Sequence, residues 1–216
     1  MSARETELQR TADDDLPALA IADEVSRLLV EVIQSISLPP QEELDSKDLR
    51  LQALWFMAII ALRAMRAAMQ ALRSGYEDQA VGYQRLIDEL HNRAKKVLED
   101  NSGEYAHQWL LGRGLGKGAK LAGRDFWDLL SGPVHANARA VFDWLAVSQP
   151  DGTTKVMIGP ERRPPVANAA LTYMASESRD LAVGLALAAG RSLHLETLDA
   201  ALHASLEQWI PDQAQP

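Results

Sequence analysis

This sequence predicts an all-α fold, a single-domain bundle of about six or seven helices, and three observations lead to it. Apolar residues recur at helical spacing over several long segments. Pro-Pro, Ser-Gly and Gly-Pro pairs fall between those segments. One short stretch, Thr153 to Ile158, has the β-branched composition of a strand.

Residues 1–15 are polar and acidic and are expected to form a disordered tail ahead of the helical domain, which spans 16–210. From Leu16 to Ile36, the positions Leu19, Val25, Leu28, Leu29, Val32 and Ile36 follow the helical period, and Leu38-Pro39-Pro40 ends the run because proline lacks a backbone donor. Ser46 is the expected N-cap of the next helix. Its stripe of Leu54, Trp55, Ala58, Ile59, Leu62, Met65, Met69 and Leu72 is the most regular in the chain. Ser74-Gly75 closes it, and a third helix from about Glu77 to Glu99 turns Val81, Leu86, Leu90, Ala94 and Val97 inward. So short a connection favours an antiparallel pair.

A short helix from Glu104 to Leu111 leads into Gly112, Gly114, Gly116 and Gly118, a turn or flexible loop. A helix is expected again near Asp125, broken at Gly132-Pro133 and continued from His135 to Val147, with Val141, Trp144 and Leu145 inside. An irregular insertion near residues 149–165, with at most one strand, separates it from two closing helices, Val166 to Ala189 and Leu195 to Ile210. Residues 211–216 are expected to be a disordered C-terminus.

Composition narrows the chemistry. A chain of 216 residues with 47% apolar and 24% charged side chains can bury one core. It has no cysteine, which removes disulfides, thiolate metal sites and thiol nucleophiles and fits a reducing, cytoplasmic setting. The opening residues lack the basic and apolar regions of an export signal. The longest apolar run, Ala53 to Leu62, is half the roughly 20 residues of a membrane span, so a buried helix is expected there. A formal net charge of −8 repels polyanions, which leaves RNA or nucleotide binding to a local basic patch.

That patch is Arg113, Lys117, Lys120 and Arg124, next to glycines whose bare amides can approach a phosphate. Gly116-Lys117 does not have Walker spacing, so a solvated loop is the alternative. Arg85, Asp88, Glu89 and His91 fall within two turns of one helix. Arg85 and Glu89, at i and i+4, share a face and can form an ion pair. His91 has the side-chain type for general acid–base work, with Arg85 stabilising phosphate charge, although it lies about 240° around the helix from Arg85. Asp88-x-x-His91 and Glu104-x-x-His107 each put a carboxylate and an imidazole on one helical face. The other helices lack the carboxylates that would complete a metal site, so neither a metal nor a cofactor is expected. Trp55, Trp109, Trp127, Trp144 and Trp209 all sit in apolar helical patterns and read as core.

Leu130, Ser131, Val134 and His135, following a helix that bears Arg85 and Glu89, resemble an uncharacterised bacterial all-helical family of the HEPN type, over roughly residues 46 to 145. The resemblance implies a homodimeric helical bundle with ribonuclease or nucleotide-binding activity in a toxin or phage-defence system. Its Arg-x(4–6)-His motif would place the histidine at His135, with Ser131 beside it. The positions where the arginine should stand hold Asp128, Leu129 and Leu130, so either the domain is a non-catalytic relative or an arginine such as Arg124 or Arg139 substitutes, and Arg85 to His91 has the motif's spacing as well. Two functional classes follow. One is a cytoplasmic, homo-oligomeric interaction module; the other is a HEPN-like ribonuclease or nucleotide binder.

Overall fold

The computed structural model describes residues 2–38, 45–111, 146–148, 154–156 and 160–210. Among them are seven helices: α1 (Ala3–Asp15), α2 (Ala18–Ser35), α3 (Ser46–Arg73), α4 (Glu77–Glu99), α5 (Glu104–Leu110), α6 (Pro164–Ala188) and α7 (Glu196–Trp209). The fold is all-α, as the sequence predicts. The antiparallel strands β1 (Ala146–Ser148) and β2 (Thr154–Val156) pair Ala146 with Val156 and Ser148 with Thr154. The helix expected to run on to Val147 has therefore given way to strand by Ala146, and the 149–165 insertion contains the return arm of a hairpin. Residues 125–145, the rest of that helix, and the expected tail 211–216 lie outside the described residues.

The N-terminal segment is helical, which corrects the expected disordered tail. Ser2 caps α1 by accepting the Glu5 amide at 3.1 Å, and the Glu5 carboxylate returns to the Ser2 amide, so two otherwise orphaned donors are satisfied. Leu8, Ala12 and Leu16 are buried beneath it. Polar bonds hold the helix down: Tyr76 Oη donates to Glu5 at 2.7 Å, Gln9 to Ser74 Oγ at 3.0 Å, and Arg162 to Thr11 at 2.7 Å and Asp15 at 2.6 Å.

Asp45 rather than Ser46 caps α3, because its carboxylate accepts both the Lys47 and Asp48 amides, at 2.8 and 2.9 Å. α3 lies at the centre and packs against α2, α4, α5 and α6. Leu54, Met57, Ala58, Met65, Met69 and Leu72 are all buried. Lys47–Arg73 is, among the described residues, the one helix long and apolar enough to cross a membrane, with mean hydropathy 1.4 over its most apolar window and 50% of that window buried. Here it is the core helix of the bundle.

The α3–α4 turn requires Gly75, whose φ is +82° and whose missing side chain leaves room for Leu8: a Cβ there would lie 2.5 Å from Leu8 Cδ1. Along α4, Val81, Ile87, Leu90, Ala94 and Val97 face inward. Leu86, expected among them, is exposed because Ile87, about 100° further round, takes the inward position.

α6 begins with Pro164 and Pro165, tolerated in a first turn where amide donors have no helical partner anyway. The Arg163 amide that precedes them donates to the buried Glu77 carboxylate, and Arg163 Nε joins it at 2.8 Å. Asn168, fully buried, accepts the Ala18 amide at 3.1 Å and donates to the carbonyls of Asp15 at 3.1 Å and Pro164 at 2.8 Å. One amide thereby joins the α1–α2 corner to α6.

Candidate functional site

The chemistry-bearing residues that come together lie in the seam between α4 and α6. Asp88 and His91, three apart on α4, point to the same side. Across from them, α6 presents Tyr173, Glu177 and Asp180 at spacings of four and three, one face of a helix. Asp88, His91, Tyr173 and Glu177 are all buried, Asp88 to 1% exposure. His91 Nδ1 donates to Glu177 Oε1 at 3.1 Å, and its Nε2 lies 3.5 Å from Asp180 Oδ2, an ion-pair contact without hydrogen-bond alignment. Asp88 Oδ1 accepts from Tyr173 Oη and from Asn92 Nδ2, both at 3.3 Å. The outer end of the cluster is tied to α7, where Arg179 forks onto Asp199 at 2.9 and 2.7 Å while reaching Asp180 at 2.9 Å.

Burial alone would pull the His91 imidazole down, but the carboxylates of Asp180 and Glu177 outweigh it and raise its pKa to about 9. The ring is an imidazolium at neutral pH. Burial and the facing Glu177 carboxylate push Asp88 up to about 6. Burial, with Glu177 and Asp88 beside it, also raises the Tyr173 phenol far above its ordinary value. Burial works against the Asp180 charge, yet His91 and Arg179 hold its carboxyl below the usual range. An imidazolium clamped between acids cannot serve as a general base near neutrality. What the arrangement provides is an ionic clasp between two helices.

Beside it opens a cleft of about 230 Å³, lined by Ala94, Lys95, Leu98, Leu181, Gly184 and Leu187 together with His91 and Asp180. Leu98 and Leu187 form its rim and are 40% and 65% exposed. Gly184 lets the rims close: a Cβ there would stand 2.9 Å from Leu98 Cδ1. A wider hollow of about 400 Å³ lies between α2 and the start of α7. Its charged groups, Glu24, Arg27, Glu31, His194 and Glu196, are all exposed, so nothing there is desolvated enough for its chemistry to change.

Of the residues singled out in the sequence, His91 is central to the cluster, and its pairing with Asp88 on one face is realised. Glu89 turns away and takes the guanidinium of Arg93, with Nε at 3.1 Å, while Arg85 is half-buried on the same helix. His135, Ser131, Arg113, Lys117, Lys120 and Arg124 lie outside the described residues. Glu104 bonds Gln108 at 2.6 Å, and His107 is exposed. Among the described residues, no group of three or more His, Cys, Asp or Glu is placed to hold a metal ion. Tyr173, Glu177 and Asp180 went unremarked in the sequence. The signal was present as three polar residues at helical spacing within an otherwise alanine- and leucine-rich segment.

Fold and site together define a helical bundle with an internal ion-pair cluster beside an apolar cleft. No family model matches the chain, and neither a curated protein nor a solved structure matches it significantly.

Proposed function

We propose that this chain is a cytoplasmic helical interaction module that self-associates through the α4–α6 cleft. The observation that carries this reading is the pair of exposed leucines, Leu98 and Leu187, on adjoining helices at the rim of one cleft. Apolar side chains gathered at one place on a surface favour a partner's apolar surface over water. The ionisable groups behind them bond one another, so the face offers shape and apolar area rather than a nucleophile or base. A second copy meeting it about a twofold axis would place the same leucines against each other.

Light scattering after size exclusion tests this across a range of protein concentration. The expected result is a concentration-dependent dimer in which Leu187→Glu or Leu98→Glu weakens association at least tenfold, because each buries a carboxylate against apolar surface. A monomer at every concentration, or a dimer indifferent to both substitutions, would overturn the reading. RNA cleavage in low salt that is lost in His135→Ala would establish the HEPN-like ribonuclease instead.

A further inference from the structure

Two carboxyl groups in the seam have oxygens with no partner. Asp88 Oδ2 and Glu177 Oε2 are both buried and accept no hydrogen bond, while the other oxygen of each is engaged, Asp88 Oδ1 by Tyr173 and Asn92, Glu177 Oε1 by His91. An unpaired buried carboxylate oxygen is costly, and two in one cluster are costlier still. The two carboxyls are neighbours in the seam, because Asp88 is bonded to Tyr173 and, one turn further along both helices, His91 is bonded to Glu177. A proton between them turns two orphaned acceptors into one charge-assisted hydrogen bond.

We propose that Asp88 and Glu177 hold a single proton between them, which makes the α4–α6 seam a proton-binding site that tightens the bundle in mild acid and loosens it as the proton leaves. The inference is independent of self-association. It rests on the composition of the whole cluster. From α4 come Asp88, His91 and Lys95; from α6 come Tyr173, Glu177, Arg179 and Asp180; from α7 comes Asp199, through Arg179. The buried side chains of α2 and α3, packed on the same helices, carry no ionisable group. With the proton in place, the imidazolium of His91 faces one buried carboxylate and the half-exposed Asp180. Without it, a third negative charge enters a space already desolvated.

The direction of the pH response follows. The Asp88 carboxyl is raised from 3.8 to about 6, so the folded state holds a proton that the unfolded chain releases, and stability falls as pH climbs through that interval. His91 is raised from 6.5 to about 9; its contribution is fully present below pH 6.5 and is lost as pH rises through about 9. Both act in the same sense in successive windows.

Carbon-detected NMR of the full chain tests the shared proton directly. The expected result is a midpoint near pH 6 for the side-chain carboxyl carbon of Asp88, with the Glu177 carboxyl carbon changing its chemical shift in the same step, since one proton belongs to the pair. An Asp88 midpoint at the ordinary value of about 3.9 would overturn the proposal, as would a Glu177 carbon that is silent while Asp88 titrates. Urea unfolding between pH 4 and 9 supplies the second measurement. The folding equilibrium constant of the natural protein should fall by up to about tenfold per pH unit for each proton lost. Asp88→Asn, whose amide can donate to Glu177 Oε2 at any pH, should abolish the fall below pH 6.5 and keep the fall above it. An Asn variant that retains the whole slope would sink the idea, and the NMR midpoint decides the case if that variant does not fold.

Discussion

Glu177 bonds the His91 imidazolium, and its charge acts on the Asp88 carboxyl beside it. Its removal therefore does more than delete a hydrogen bond. Glu177→Ala takes from the buried His91 cation the carboxylate it donates to, and breaking a buried pair from one side costs about 3 kcal/mol. The expected outcome is a loss of that order in urea unfolding at pH 6, against a far smaller loss for Glu7→Ala, whose pair with Arg10 is solvent-exposed. The sequence made half of this cluster legible. Asp88 and His91 are three apart, and helical geometry alone puts them on one face. Glu177 stands 86 residues further on, and no local spacing reveals a partner brought in by tertiary packing.

The elements were legible where periodicity spoke and obscure where two signals competed. α4 starts and ends at the residues expected, Glu77 and Glu99, and α6 and α7 are displaced by only one or two at either end. α1 was obscured by its acidity, although Ser2 and Glu5 spell a capping box three residues apart. What keeps α1 helical is mostly tertiary, since Leu8 fits over Gly75 and Arg162, its side chain only 1% exposed, binds Asp15 and Thr11. Gly75→Ala tests that docking. The +82° φ disfavours any side chain by about 1 kcal/mol, and the new methyl would strike Leu8 as well. Thermal unfolding should shift down by several degrees, and amide exchange should quicken in α1 before the rest of the bundle. Unchanged protection in α1 would show that the helix is held by something other than this contact.

For the molecule as a whole, a net charge of −8 sets the conditions under which two copies can meet. Like charges repel across a Debye length of about 10 Å at 0.1 M salt, so the proposed apolar contact should strengthen between low and moderate ionic strength, a trend measurable by sedimentation. Weakening with salt would mean that ionic bonds carry the association. The interior has another property that operates before any partner arrives. Asn168 closes the α1–α2 corner, yet it lies 150 residues after the Ala18 amide that it accepts. On a ribosome the first two helices emerge long before that amide exists, and their apolar faces wait without a lid. Closure is a late event in synthesis, and a chain truncated ahead of α6 would display to chaperones and proteases the surface that the finished protein hides.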